Sequence, residues 1–534
     1  MPPRVLLIGI DGAPYSLVSK WAGEGKLPNF KIILAEAAHG ILKSPIDITP
    51  PAWSSIYTGK NPGKHGIFDF MGRKKGRYDF APINSSQRDA QDVWEILSQE
   101  GLRVCVLNAP LSFPPRKVNG VLVGGFLTPG ESVEYTYPED LKEELKENIP
   151  GFEHSASDEL QLNLNKDAYI RNEQERLTNI GKAALYLIRK ERFDFFSVFF
   201  SETDHVQHWF WDHMEDEERN GKRSRYSNVI LDTYKNVDKI IGELLHEIDD
   251  NTYVMLVSDH GGAPLRRFFH TNYFLHSIGM LQFRRSLKSR FRLGLYSIGV
   301  SQALYRFLLR RKIYWLRYAL IPITLSLSDV DWDRTSAFSL GYGQIYLNVE
   351  GREIKGTVKQ SEYEHARKEI VDQISRIGDG HIGATPIQHA WTQEEAFSGP
   401  HISEAPDIQL LMAEGYEAFP WSSIADRMFT DGIDRSGTHN PDGLVIIKGQ
   451  EVVGVAIENA SVVDIAPTIL NLMGVRIPED MDGRVLSQAF TSDHQSKNPV
   501  LVRSSTPKET IPEYKMTEDE QQKIEDNLRS LGYI

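Results

Sequence analysis

The chain has 534 residues, 40% of them hydrophobic and 25% charged, with a formal net charge of −13 at pH 7. That is enough for one large α/β domain with insertions or for two to three domains, and the composition is ordinary for a soluble globular protein. The negative balance argues against a general nucleic-acid binder. The single Cys105 excludes a disulfide framework, fits a reducing compartment, and reads as a buried structural thiol within R-V-C-V-L. No signal peptide and no run of about 20 apolar residues is evident, so a cytoplasmic location is expected.

In chain order, Val5–Ile10 reads as a buried parallel strand that ends at Asp11-Gly12. A carboxylate therefore stands at a strand's C-terminal end, the edge where open α/β sheets place ligands. The stretch from Ile46 to Phe70 starts extended, puts Thr49 directly before Pro50-Pro51, and turns helical until Gly59. Threonine is a good N-cap and proline favours the first helical turn, so Thr49 is predicted to cap a helix. Its hydroxyl would then lie at the positive end of a helix dipole, a place suited to a phosphoryl group and a nucleophile. Taken alone, the stretch is better read as an ordinary capped helix.

A helix is expected around Gln91–Glu100, with strands through Val104–Asn108 and Val121–Gly125. Amphipathic stretches at about 168–190 and 225–248 flank the strand Phe195–Phe200, and a further strand, Tyr253–Ser258, leads into S-D-H-G-G. Strands alternating with helical patterns predict an α/β fold whose mostly parallel central sheet carries helices on both faces.

From His260 to Ser328 the chain has twelve Lys and Arg and no Asp or Glu. Arginines between apolar residues make 284–318 a basic amphipathic segment, read as a solvated helical hairpin, as a peripheral membrane contact or as a positive wall around an anionic substrate. A strand at Gly343–Val349, a helical pattern over Glu362–Ile377 and a strand at Pro406–Met412 suggest an inserted α+β cap. The expected division is a core over 1–265, the cap over 266–425, a return to the core over 426–490, and a tail over 491–534 with a helix at Glu518–Leu531.

Candidate ligands follow strands or open helices: Asp11, Asp204 with His208, Asp259 with His260, and His439. Asp204 and His208 are four apart and share one helix face. The turn at Gly261-Gly262 lets Asp259 and His260 converge. Carboxylates and imidazoles in this mix suit Zn²⁺ or Mn²⁺ better than Ca²⁺ or copper. Each has an ordinary explanation singly, since there are sixteen histidines in the chain.

In order, I-G-I-D-G-A, T-P-P-x-x-S-S-I-Y-T-G-x-x-P-x-x-H-G-I, D-x-x-x-H, S-D-H-G and G-x-H resemble the alkaline phosphatase superfamily, and within it the type I phosphodiesterase/nucleotide pyrophosphatase branch. The resemblance covers roughly residues 1–265 and 425–490. It implies an alkaline-phosphatase-like fold and two divalent ions, usually zinc. Asp11, Thr49, Asp259 and His260 would hold one ion, and Asp204, His208 and His439 the other. Thr49 would be the nucleophile and form a phosphothreonine that water hydrolyses.

Two departures bear on substrate. The branch has an asparagine shortly after H-G-I, where this chain has Phe70; Asn108 or Lys64 is the candidate replacement for binding a phosphoryl oxygen. Alkaline phosphatases bind a terminal phosphate dianion with an arginine near the nucleophile, and none lies between Thr49 and Gly66. This favours a diester or pyrophosphate-type substrate over a monoester. The expected activity is thus metal-dependent hydrolysis of a small-molecule phosphoester. The alternatives are a phosphomonoesterase or phosphotransferase/mutase of the same superfamily, and a protein that binds anionic membrane or polyanions through its basic segment. Trp53, Tyr57 and Phe68 are read as core residues.

Overall fold

The computed structural model describes residues 4–73, 77–152, 165–286, 289, 325–380, 385–419, 423–424, 427–432, 435–505, 512–531 and 533. The basic segment 284–318 lies outside the described residues, apart from 284–286 and 289.

Nine strands build the central sheet: β1 (Arg4–Ile10), β2 (Ala38–Lys43), β3 (Val104–Ala109), β4 (Gly120–Gly124), β5 (Thr136–Tyr137), β6 (Phe195–Phe200), β7 (Thr252–Val257), β8 (Asp442–Lys448) and β9 (Ala456–Ser461). Their spatial order is β9-β2-β8-β7-β1-β6-β3-β4-β5. Strands β7, β1, β6, β3 and β4 run parallel, while β8 is antiparallel to both its neighbours and β5 closes the far edge antiparallel. The sheet is mostly parallel, as the alternation of strand and helix patterns implies.

The apolar run of β1 serves both faces because successive side chains point to opposite sides. Leu6, Ile8 and Ile10 pack with Trp21, Leu177, Ile180 and Ile241 on one face. Val5 and Leu7 pack with Trp53, Ile56, Val93 and Ile469 on the other. Trp53 and Tyr57 are thereby core residues, each 1% exposed.

Strands Ala337–Gly341, Gln344–Leu347, Ile387–Thr392 and Ile408–Met412 form a separate antiparallel sheet. With the helix Tyr363–Ile374 it encloses its own apolar cluster around Phe338, Ile345, Ile370 and Ile408. The chain leaves the core along Gly261–Pro264 and comes back along Gly437–Asn440, and these two segments pair as an antiparallel ribbon. The helix Glu518–Leu531 forms where the sequence places it. Its buried Ile524, Leu528 and Leu531 join Met516 and Tyr533 in a cluster with Ile46, Ile48, Phe70 and Phe126.

Thr49 differs from expectation. It is the first residue of the helix Thr49–Thr58, and the cap position falls to extended Ile48, with no side-chain capping bond. The hydroxyl is therefore not spent on the helix's own N–H groups and turns instead to His260.

Candidate active site

Adjacent parallel strands bring the first ligands together. Ile10 of β1 lies beside Phe200 of β6, and Gly9 lies beside Val257 of β7, so the three strands end at one level. The residues just beyond those ends are Asp11, the start of helix Glu202–Asn220, and Ser258-Asp259-His260. Short bonds tie the three loops: Thr203 Oγ1 donates to the Asp11 carbonyl at 2.6 Å, Gln207 Nε2 to that of Gly12 at 2.8 Å, and Ala13 N to Ser258 Oγ at 2.7 Å. Gly12 has φ +62°, and a Cβ there would stand 2.5 Å from Asp204 Oδ1. Only glycine accepts both the left-handed backbone and that approach.

Two donor groups result. In the first, His260 Nε2 lies 3.3 Å from Thr49 Oγ1, 3.2 Å from Asp259 Oδ2 and 3.6 Å from Asp11 Oδ1. In the second, Asp204 Oδ2 lies 3.0 Å from His208 Nε2, Asp204 Oδ1 lies 3.6 Å from His439 Nε2, and the two Nε2 atoms are 3.2 Å apart. The rings of His260 and His439 stack at 3.8 Å and join the groups. Atoms of Asp11, Asp259 and His260, and of Asp204, His260 and His439, lie close enough to share an ion. All seven sequence-predicted residues therefore converge, and the i, i+4 pair Asp204/His208 shares a helix face as its spacing implies.

The chemistry of the donors fits divalent metal. Nδ1 of each histidine faces a backbone carbonyl: Gly437 for His208 at 3.1 Å, Gly261 for His260 at 3.2 Å, Asp47 for His439 at 2.6 Å. With Nδ1–H donating there, Nε2 of His260, and of His439 once it sheds its proton, turns a lone pair inward, the tautomer that ligation requires; His208 differs, because Arg435, which can only donate, lies 3.0 Å from its Nδ1. Both carboxylate oxygens of Asp11, and Oδ2 of Asp259, are buried without a hydrogen-bond partner. Burying carboxylates in this way is costly unless a cation compensates them.

Electrostatics agree. Burial, followed by the charges of Asp259 and Asp204, raises the Asp11 carboxyl well above the usual range, and burial pushes Asp259 up to about 7. Burial holds the His260 imidazole well below its usual value, with the neighbouring His439 adding to the effect. Burial also opposes charge on Asp204 and His439, but His208 and then His439 take Asp204 well down, and Asp204 takes His439 up to about 9. His439 thus carries a counter-charge that a bound cation would replace.

Lys64 takes another place. Its Nζ pairs with Asp482 at 2.6 Å and donates to the Asp480 carbonyl at 2.8 Å, anchoring its short helix to that loop. Asn108, in a left-handed conformation, donates its amide to the Phe199 carbonyl at 3.0 Å. Among the described contacts neither side chain touches Thr49.

Three nearby residues escaped the sequence reading. Arg435 is buried, pairs with Glu417 at 2.7 Å, and lies 3.0 Å from His208 Nδ1. Tyr533 donates its hydroxyl to Asp204 Oδ2 at 2.5 Å. A polar cavity of about 240 Å³ opens beside His439, lined by Asp47, Ile48, Tyr342, Glu417 and Thr438 among others. No motif marks Arg435, Glu417 or Tyr533, because tertiary packing brings each of them in.

Residues 5–439 match the family described as type I phosphodiesterase/nucleotide pyrophosphatase. The chain belongs to that family. Its place in the alkaline phosphatase superfamily follows, and it is a hydrolase of phosphoric ester bonds. Solved structures share the fold of this type I phosphodiesterase family member at low identity. Human ectonucleotide pyrophosphatase/phosphodiesterase 5 is 12% identical, covering 92% of this chain and 100% of its own, with a TM-score of 0.51. Phosphonoacetate hydrolase from Sinorhizobium meliloti, in complex with phosphonoacetate, is 14% identical, covering 87% and 94%, with a TM-score of 0.52. The same enzyme in complex with phosphonoformate is 15% identical over the same shares, with a TM-score of 0.50. A search of curated proteins gives no match. None of the described helices is long and apolar enough to cross a membrane.

Proposed function

We propose that the protein is a two-metal phosphodiesterase or pyrophosphatase that works through a phosphothreonine at Thr49. The observation that carries this is the buried Thr49 hydroxyl, turned away from its own helix to within 3.3 Å of His260, in a ring of carboxylates and inward-facing imidazoles. Asp11, Thr49, Asp259 and His260 would hold one divalent ion, and Asp204, His208 and His439 the other, with zinc favoured by the donor types and manganese the alternative. When bound, the ions supply Lewis acidity that makes the threonine oxygen and then water nucleophilic and neutralises charge on the phosphoryl oxygens.

Thr49 gives up its proton to solvent and its Oγ1 attacks phosphorus in line with the leaving oxygen, which departs with the bonding pair and takes a proton from solvent. The helix Thr49–Thr58 points its N-terminus, the positive end of its dipole, at the developing charge, although Pro50 and Pro51 offer no N–H there. Water then attacks phosphorus from the vacated side, and Oγ1 leaves and regains its proton. His260 and His439 keep their orientation through Nδ1 contacts with the Gly261 and Asp47 carbonyls, and His208 through its Nδ1 contacts with Arg435 and the Gly437 carbonyl, none of which need rearrange between the two halves of the reaction. The missing arginine between Thr49 and Gly66 supports a singly charged diester over a monoester dianion. The insertion expected over 266–425 is the part we assign to substrate selection.

The test is a side-by-side assay of a bis-aryl phosphodiester and the corresponding aryl monophosphate on protein of measured metal content. Faster diester turnover with about two ions per chain is expected. Much faster monoester turnover would reject the diester preference, and full activity in metal-free protein would reject the metal reading.

A further inference from the structure

We propose that Tyr533 is a positioning residue of the metal centre, holding Asp204 in the orientation in which the Asp204–His208–His439 group binds its ion. This assignment rests on the metal reading above.

Asp204 has two oxygens with different surroundings. Oδ1 faces His439 Nε2, while Oδ2 takes the Tyr533 hydroxyl and lies 3.0 Å from His208 Nε2. A short O–H···O⁻ bond to one oxygen fixes the carboxylate plane and leaves the other oxygen directed at a ligand; such charge-assisted bonds are among the strong ones. Partners one step behind a ligand set its orientation and basicity, and losing one typically costs about 10- to 100-fold in metal affinity or activity.

The tyrosine is itself held on every side. It is fully buried. Its ring packs on Phe70 at 4.7 Å and Phe126 at 5.7 Å, and stands edge-on to the His208 ring at 5.3 Å and 89°. Its amide donates to the Leu528 carbonyl at 2.9 Å, and its carbonyl accepts from the Tyr342 hydroxyl. Behind it, Ile524, Leu528 and Leu531 seat the helix Glu518–Leu531 on the residues that flank Thr49, namely Ile46 and Ile48. A side chain this constrained is placed to orient rather than to swing. The same packing explains Phe70: where the sequence of the branch suggests a polar residue, this chain keeps an aromatic platform for Tyr533.

The experiment is zinc titration of the full chain and of Tyr533→Phe by competition with a chromophoric chelator, alongside melting and circular dichroism. The ring and its packing survive in Tyr533→Phe, so folding should hold while one of the two zinc affinities weakens about 10- to 100-fold and the other stays unchanged. Cobalt-substituted protein should show the absorption of one site altered, which a merely structural residue would not produce. Parental affinities for both ions in a folded Tyr533→Phe would overturn the assignment. Faster turnover with unchanged affinities would overturn it in favour of an obstructing tail. If Tyr533→Phe does not fold, Tyr342→Phe, which releases the Tyr533 carbonyl, should weaken the same ion, and unchanged affinities there would likewise overturn it. A parent chain that binds no zinc would overturn the metal reading and this assignment with it. Loss confined to the variant's comparison with a two-zinc parent bears on Tyr533 alone.

Discussion

Thr49 Oγ1 and His260 Nε2 lie 3.3 Å apart although 211 residues separate them, and both side chains are fully buried. A hydroxyl in that position has no structural duty to its helix, so its removal should act on chemistry. Thr49→Ala is expected to lower turnover by on the order of 10⁴-fold or more, as removal of a nucleophile does elsewhere. Metal content should stay largely intact because Asp11, Asp259 and His260 remain. Near-normal turnover in the variant would remove Thr49 from the reaction.

Metal removal should be legible in stability as well as activity. Asp11 and Asp259 bury carboxylate oxygens without hydrogen-bond partners, so stripping the ions leaves charge uncompensated. Chelator treatment is expected to abolish turnover and lower the melting temperature, with both restored by Zn²⁺. A ligand at a thousand times its Kd stabilises by about 4 kcal/mol. An unchanged melting temperature after verified metal removal would contradict this.

Gly12→Ala is expected to damage the site without touching a ligand. The position combines φ +62° with a Cβ that would meet Asp204 Oδ1 at 2.5 Å. The left-handed backbone alone costs about 1–2 kcal/mol for a residue with a Cβ, and the clash adds to it. Thermal denaturation should show the loss, and metal analysis should show weakened binding by the Asp204 group.

Asp69 predicts a pH dependence remote from the ligands. Burial pushes its carboxyl up to about 7, with Oδ2 lacking a partner. A raised carboxyl means that the folded state holds a proton which the unfolded state releases above its ordinary value of 3.8. Stability therefore falls as pH rises from about 4 towards 7, because there the unfolded chain binds fewer protons. Asp69→Asn, neutral throughout, should melt higher than the parent at pH 7.5 and lose that advantage near pH 4. An advantage independent of pH would show that Asp69 does not titrate in this way.

Much of the centre was readable because local rules placed it. Asp11 and Asp259-His260 sit just past β-branched, leucine-rich or mixed apolar strands, and the four-residue step from Asp204 to His208 needs only helical periodicity. The misplacement of Thr49 at the cap shows where such rules stop. T-P-P fits a capped helix on propensity, but the neighbouring His260 decides where the hydroxyl goes, and that is information 211 residues away. Lys64 failed for a related reason: a cation close to the motif in sequence found Asp482 first. Tyr533 and Arg435 carried no signal at all, since neither spacing nor composition reveals which distant carboxylate or imidazole a side chain will meet.

Pro264 and Gly437 face each other across the ribbon, two residues along from the pairing of Gly262 with His439. The 172 residues between them leave and rejoin the core at adjoining points. An excursion whose two ends already touch can change in length at its far loops without moving its junction. The excursion also reaches back to the centre: its Arg435, paired with Glu417, lies 3.0 Å from His208 Nδ1, and its Tyr342 donates to the Tyr533 carbonyl, so a change beyond Pro264 can be felt at the ligands.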